Sequence, residues 1–191
     1  MSHHPLLNTH ILEFLPDDLD NLIVLDMGCG LGEWGFIMRT RKRGSPYLIG
    51  IDVWHPYLER VCPLEIYDEL IQVRLPHIPL KEKSIDISIA CEVLEHLSKI
   101  DGYELMTELE GVTEKIIIVS TPLNWQQEEI CGNPFEKHIN EWLPKDFIRR
   151  GYETKVVHVL PKTLEVANRI RSIIFRLPPT PQLIVARKRL K

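Results

Sequence analysis

Hydrophobic residues occur along this chain in two patterns that alternate from one end to the other. Short unbroken apolar runs are typical of strands covered on both faces, whereas apolar residues three or four positions apart are typical of amphipathic helices. Six strands are predicted at residues 22–25, 47–52, 70–73, 115–120, 153–160 and 182–188, and the alternation of Ile85, Ile87 and Ile89 with polar residues predicts a seventh. Helical segments lie between most of these strands, an order that indicates an α/β domain.

The helical segments are short, and their apolar residues recur at helical spacing. They are predicted at residues 5–15, 34–43, 56–62, 101–111 and 145–150. Asp101 is the expected N-cap of the fourth helix, because an aspartate side chain can satisfy free backbone N–H groups there. A long polar stretch follows the fifth strand and continues to residue 144. Loops of this length in compact domains are often lids or binding loops.

A further amphipathic helix is predicted at residues 163–177, within an insertion at residues 161–181 between the last two strands. Its apolar face is accompanied by three arginines, and a proline-rich segment closes it. Three roles stay open for this helix: packing on its own domain, covering a substrate pocket, or forming a homodimer contact. With 191 residues, the whole chain, 1–191, is expected to form a single domain.

A glycine-rich turn follows the first strand and is the strongest functional signal in the sequence. Asp26 ends the strand, and Gly28, Gly30 and Gly32 follow at alternate positions. Glycines let the backbone approach a ligand closely, and the next helix directs its free N–H groups at the same place. A dinucleotide site would have glycine where Glu33 stands, and the Asp26 carboxylate would repel a pyrophosphate. The turn therefore favours a positively charged ligand over a dinucleotide.

The Asp-x-Gly-x-Gly-x-Gly pattern resembles motif I of the class I S-adenosylmethionine-dependent methyltransferases, in particular their type 11/12-like domains. The resemblance implies a Rossmann-like, doubly wound, seven-stranded sheet that is mostly parallel with its last strand antiparallel. It implies S-adenosylmethionine as cofactor, with its methionine end against the turn and with Asp26 helping to hold both its amino group and the turn. Asp52 ends the second strand and is the candidate for the ribose hydroxyls, with a helix N-cap as the alternative.

A second segment, residues 84–97, resembles the fourth-strand motif of the same family. Glu92 and His96 are four positions apart and are expected to share one face of a helical turn. The family often has an acidic residue after the third strand that reads adenine, but Arg74 and Leu75 stand there, so the Leu75 backbone is the candidate substitute. The resemblance places the cofactor-binding residues at Asp26, Gly28, Cys29, Gly30, Gly32, Asp52, Val53, Leu75, Cys91 and Glu92.

His96 and His138 are the candidate catalytic residues, because a histidine can accept a proton near neutral pH. For each, a structural role is the open alternative: capping or core packing for His96, and stabilising its own loop for His138. The predicted activity is methyl transfer to a small-molecule acceptor, with a protein or RNA acceptor still open. The alternative is a non-catalytic S-adenosylmethionine-binding or regulatory partner subunit with the same fold.

The amino-acid composition adds little to this prediction of function. The net charge of −4 does not indicate a nucleic-acid partner, and no apolar run is long enough to cross a membrane. The four cysteines form no close pair and the acids form no obvious cluster, so no metal site is predicted. The first residues lack the features of a secretion signal, and we expect a cytoplasmic protein with reduced thiols.

Overall fold

The computed structural model describes residues 5–158 and 182–190. Seven strands form one sheet in the order β3-β2-β1-β4-β5-β7-β6. Their bounds are β1 Ile23–Met27, β2 Tyr47–Asp52, β3 Glu69–Gln72, β4 Ile85–Cys91, β5 Thr113–Leu123, β6 Glu153–His158 and β7 Gln182–Arg189. The helices are α1 Pro5–Phe14, α2 Glu33–Arg41, α3 His55–Val61, α4 Lys99–Val112 and α5 Pro144–Ile148.

The direction of the strands agrees with the predicted mixed sheet. Strands β3, β2, β1, β4 and β5 are parallel to one another, and β7 runs antiparallel to both β5 and β6. Strand β2 lies beside β1, and β3 lies beside β2. The next strand, β4, lies on the other side of β1. The carboxyl ends of β1 and β4 therefore form a topological switch point, where open α/β sheets bind their ligands.

The hydrophobic core consists of two layers, one on each face of the sheet. Neighbouring residues of β1 point to opposite layers: Val24 packs with apolar residues of α1, α2 and α3, and Leu25 packs with those of α4 and α5. This explains why the strand is an unbroken apolar run, since burial of each such side chain contributes about 1.5–3 kcal/mol. The doubly wound arrangement is confirmed.

One local prediction is wrong, and two others extend beyond the described residues. Helix α4 begins at Lys99 and its N-cap is Ser98, whose hydroxyl accepts a hydrogen bond from the Asp101 backbone N–H, so the expected cap at Asp101 is wrong. Strand β6 is described as far as His158. The predicted insertion at residues 161–181, with its helix at 163–177, lies outside the described residues.

Among the described helices the longest, α4, has 14 residues. None of the helices in residues 5–158 is long and apolar enough to cross a lipid bilayer.

Candidate functional site

A cavity of about 310 Å³ lies at the switch point. Eight of the ten predicted cofactor-binding residues line it: Gly28, Cys29, Gly30, Asp52, Val53, Leu75, Cys91 and Glu92. Of the two predicted catalytic residues, His96 lines the cavity and His138 lies behind it. The structure therefore brings most of the predicted site residues to one cavity, and Asp26, Gly32 and His138 lie outside its lining.

The glycine turn needs its glycines for two different reasons. All three have positive φ angles, of 71° at Gly28, 52° at Gly30 and 82° at Gly32. A Cβ on Gly28 would lie 2.6 Å from Val93 Cγ2, and one on Gly32 would lie 3.2 Å from Ile66 Cδ1. Gly28 and Gly32 thus allow close packing, whereas Gly30 has open space beside it and exposes its backbone to the cavity.

Asp52 connects the turn to the end of β2. Its Oδ2 accepts a hydrogen bond from the Gly30 N–H at 2.9 Å, and its Oδ1 accepts one from the Trp54 N–H at 2.7 Å. The N-cap of α3 is Trp54, so Asp52 does not cap that helix. Burial raises the pKa of Asp52, and the backbone hydrogen bonds partly oppose this. A carboxylate has about four lone pairs, so each oxygen retains one for a ligand hydroxyl.

Asp26 lies beneath the turn rather than in the cavity. It is 1% exposed, and its Oδ2 accepts a hydrogen bond from the Tyr67 hydroxyl. That hydroxyl also accepts a hydrogen bond from the Gly35 N–H at 3.2 Å, so the pair fastens β1 to α2. Burial raises the pKa of Asp26 to about 7. This position favours the predicted support of the turn over the predicted contact with a ligand amino group.

Acidic side chains dominate the charge of the cavity. Five of them line it: Glu33, Asp52, Glu92, Asp101 and Glu136. Arg74 is the one lysine or arginine among the described lining residues, and its guanidinium lies 6.0 Å from the centre of the Phe135 ring. The cavity therefore suits a ligand with net positive charge.

The segment after β4 does not have the expected helical spacing. Glu92 has a φ angle of 57°, and the short 3₁₀ turn begins only at Leu94. Glu92 and His96 therefore do not share one helical face, although both line the cavity. Ser120 Oγ donates a hydrogen bond of 2.9 Å to Glu92 Oε1. Burial raises the pKa of Glu92 to about 8.

His96 and His138 contact each other edge to face, with their ring centres 5.0 Å apart. His96 Nδ1 lies 3.1 Å from the Lys137 carbonyl oxygen, and His138 Nδ1 lies 2.9 Å from the Trp125 carbonyl oxygen. Because a carbonyl only accepts, each Nδ1 carries the hydrogen, and each Nε2 has a free lone pair. Burial lowers the pKa of both imidazoles, which keeps them neutral.

The long loop after β5 is fastened over this part of the cavity. The N–H groups of Ile139 and Asn140 donate to the Glu95 carbonyl oxygen at 2.9 and 3.1 Å. The Trp142 indole donates to the Leu94 carbonyl oxygen at 2.8 Å. The Tyr57 hydroxyl donates to Glu136 Oε1 at 3.0 Å. These contacts hold the loop against the cavity, which its residues Asn133, Phe135, Glu136 and Ile139 line.

Comparison with known proteins agrees with this geometry. Residues 25–115 match the family model described as a methyltransferase domain. An S-adenosylmethionine-dependent methyltransferase of Mesorhizobium loti has the same fold, with a TM-score of 0.62 and 16% identity over 94% of this chain and 96% of its own. Residues 25–115 therefore form a methyltransferase domain, and the chain has the fold of S-adenosylmethionine-dependent methyltransferases.

Two further proteins are similar to the chain. The malonyl-acyl-carrier-protein O-methyltransferase of Yersinia pestis is 26% identical over 147 residues, which are 73% of this chain and 53% of that protein. A Haloferax volcanii methyltransferase, in a complex with the activator Trm112, has a TM-score of 0.63 and 15% identity over 93% of this chain and 86% of that chain. The chain spans 53% and 63% of the lengths of the curated relatives it matches.

Proposed function

We propose that the chain catalyses methyl transfer from S-adenosylmethionine to a small-molecule acceptor. The observation that carries this proposal is the convergence of the glycine turn and Asp52 on one acidic cavity at the switch point. When bound, S-adenosylmethionine supplies a methyl group on a positively charged sulfur, which is already a good leaving group. The acidic lining matches the positive charge of that cofactor.

Each part of the cofactor has a candidate partner in the cavity. The backbone of Gly28 and Gly30 is open toward the methionine end, and Cys91 lies near it at the end of β4 as a neutral thiol, since burial raises its pKa. Asp52 has two lone pairs left for the ribose hydroxyls. Val53 and Leu75 also line the cavity, and Val53 and the Leu75 backbone are the candidate contacts of adenine.

The acceptor end of the cavity is the side covered by the long loop. His96 reaches the cavity there, together with Ser98, Asp101 and Ile139. Its free Nε2 can accept a proton from an acceptor that must lose one. His138 contacts His96 from behind, so we assign it a positioning role. The cavity has a volume of about 310 Å³, and the long loop lines it on this side. Both features support a small acceptor.

A transfer assay with a radiolabelled methyl group tests this proposal. The protein is incubated with labelled S-adenosylmethionine and panels of alcohols, acids, amines and thiols, and label is measured in the extracted acceptor. Incorporation into one chemical class supports the proposal. Cofactor binding without incorporation into any class would contradict it.

The second candidate is a non-catalytic subunit that binds S-adenosylmethionine and regulates a partner. One observation favours it: Arg74 and Leu75 stand where the family often has an adenine-reading acid. The similar Haloferax volcanii methyltransferase is seen in a complex with an activator, which supports a protein partner but not the loss of catalysis. Under this alternative the labelled cofactor binds and stays intact, and a partner is recovered with the chain in a pull-down.

A further inference from the structure

A buried cluster next to the cavity contains one carboxylate, to which the proposed methyl transfer gives no role, and the two imidazoles of His96 and His138. Glu95, His96 and His138 each have a donor atom within 4.8 Å of those of the other two. Glu95 Oε1 lies 4.0 Å from His96 Nε2, which is too long for a hydrogen bond. Ligands that bind one ion at about 2.1 Å lie up to about 4 Å apart, so the cluster needs only a small contraction around an ion.

The polar atoms at the centre of this cluster have no hydrogen-bond partners among the described residues. Glu95 is 1% exposed, and its Oε1 is unpaired there, while its Oε2 accepts a 3.1 Å hydrogen bond from the Thr121 hydroxyl. His138 Nε2 is also buried and unpaired within this part of the chain. A buried carboxylate oxygen without a partner is costly, so these two atoms indicate a missing positively charged ligand.

The surroundings fix the donor atoms in place. Both imidazoles hold a backbone carbonyl through Nδ1, and this second contact is typical of histidines that bind metal through Nε2. The backbone carbonyl of Glu95 accepts two hydrogen bonds from the loop that carries His138. The loop and the segment after β4 are thereby fastened together at the cluster.

We propose that Glu95, His96 and His138 bind one divalent first-row transition-metal ion. Two imidazoles and one carboxylate are the ligands that zinc, iron, cobalt and manganese accept, whereas magnesium prefers oxygen ligands only. Three protein ligands leave open coordination positions, and His96 places them at the cavity. These positions would take water and, if the proposed function holds, a donor atom of the methyl acceptor. With the ion bound, the Nε2 lone pair of His96 would be a metal ligand, and a water on the ion would accept the proton in its place. This proposal departs from the sequence-based expectation of no metal site.

Titration of the chelator-treated full-length chain with cobalt(II) tests the proposal, because cobalt absorbs visible light when protein ligands bind it. We expect an absorption that saturates at one equivalent, disappears on addition of zinc, and is unaffected by an equal concentration of magnesium. A wild-type chain that shows no saturable absorption would overturn the proposal without any variant. S-adenosylmethionine binding is measured separately by calorimetry, so failure of the metal site and failure of the proposed function are distinguishable.

Two variants locate the ion. Glu95→Gln keeps a hydrogen-bond acceptor for Thr121 and loses the charge, and His138→Ala removes one imidazole. Each should weaken cobalt binding by about tenfold or more, since even the loss of a residue that only contacts a metal ligand lowers metal affinity by about 10–100-fold. Circular dichroism and thermal unfolding of the metal-free variants check that they fold.

The matched control removes histidines outside the cluster. His55 and His77 are exposed and each lies beside one glutamate, at 3.5 Å from Glu59 and 3.6 Å from Glu108. His55→Ala with His77→Ala, and separately His3→Ala with His4→Ala, should leave the cobalt spectrum unchanged. Loss of the spectrum in either control pair, or full retention in both cluster variants, would overturn the assignment.

Discussion

The backbone N–H of Gly30 donates a hydrogen bond of 2.9 Å to the side chain of Asp52, 22 positions further along the chain. This contact joins the glycine turn after β1 to the end of β2, so the two elements with candidate cofactor contacts form one unit. Both are held before any ligand arrives, and preorganisation of this kind reduces the cost of binding.

Asp52→Ala should weaken S-adenosylmethionine binding by at least about tenfold, because hydrogen bonds to a charged group contribute about 1.5–3 kcal/mol each. Isothermal titration calorimetry measures the change. Asp86→Ala is the matched control, since Asp86 accepts a 2.8 Å hydrogen bond from the Ile23 N–H near the opposite ends of the strands. Equal affinities of the two variants would remove Asp52 from the ribose role.

Gly28→Ala should lower both stability and cofactor affinity. The new Cβ would lie 2.6 Å from Val93 Cγ2, at a φ angle of 71° that disfavours alanine. Gly132→Ala is the control for backbone strain, because its φ angle is 75° and a Cβ there meets nothing within 4 Å. Urea unfolding should give a loss of about 1 kcal/mol for Gly132→Ala and about 2–4 kcal/mol for Gly28→Ala. Similar losses would mean that the contact with Val93 relaxes freely.

His96→Ala should reduce turnover more strongly than His138→Ala, because only His96 of the two lines the cavity. Both variants should keep cofactor affinity within about threefold, as neither residue is assigned to cofactor binding. Steady-state kinetics on the acceptor found in the transfer assay separates kcat from KM, with His55→Ala as the exposed control. Full activity of His138→Ala would leave that histidine with a structural role in its loop.

Asp26→Asn should change how stability depends on pH. The pKa of Asp26 rises from 3.8 to about 7 on folding because of burial, so between these values the folded state holds more protons than the unfolded state. Raising the pH through this window therefore lowers the free energy of unfolding, by about 1.4 kcal/mol for each pH unit crossed. Asp26→Asn removes this contribution.

Urea unfolding at pH 5 and pH 7.5 measures the effect of Asp26→Asn. The decline of stability with pH should be smaller in the variant and should not vanish, since burial also raises the pKa of Glu92 and Glu95. An unchanged decline would show that Asp26 is ionised in the folded protein.

The features that could be predicted from sequence are those determined by residues close together in the chain. The apolar run of β1 and the glycines after it define a strand and a turn locally, and Asp52 follows at a fixed distance because one βαβ unit separates them. The local backbone conformation was harder to predict. The left-handed backbone at Glu92 breaks a spacing that looked helical, and the choice of Ser98 over Asp101 as N-cap depends on where the preceding turn ends.

The cluster of Glu95, His96 and His138 could not be read from the sequence, because it depends on the path of a long loop. His138 is 42 positions after His96 and reaches it only because the loop bonds to the Glu95 backbone. The adjacent pair Glu95 and His96 was a visible signal, but a pair alone has many structural explanations. The sequence likewise predicted Asp26 beside the glycine turn. Only the structure reveals that the Tyr67 hydroxyl connects Asp26 to α2.

The central claim is that this cavity binds S-adenosylmethionine. Calorimetric titration of the purified full-length chain with S-adenosylmethionine and with S-adenosylhomocysteine tests it most directly, with NAD as the comparison ligand. We expect saturable binding of both sulfur compounds at one site per chain, and no heat from NAD. A folded sample that binds neither compound would contradict the claim.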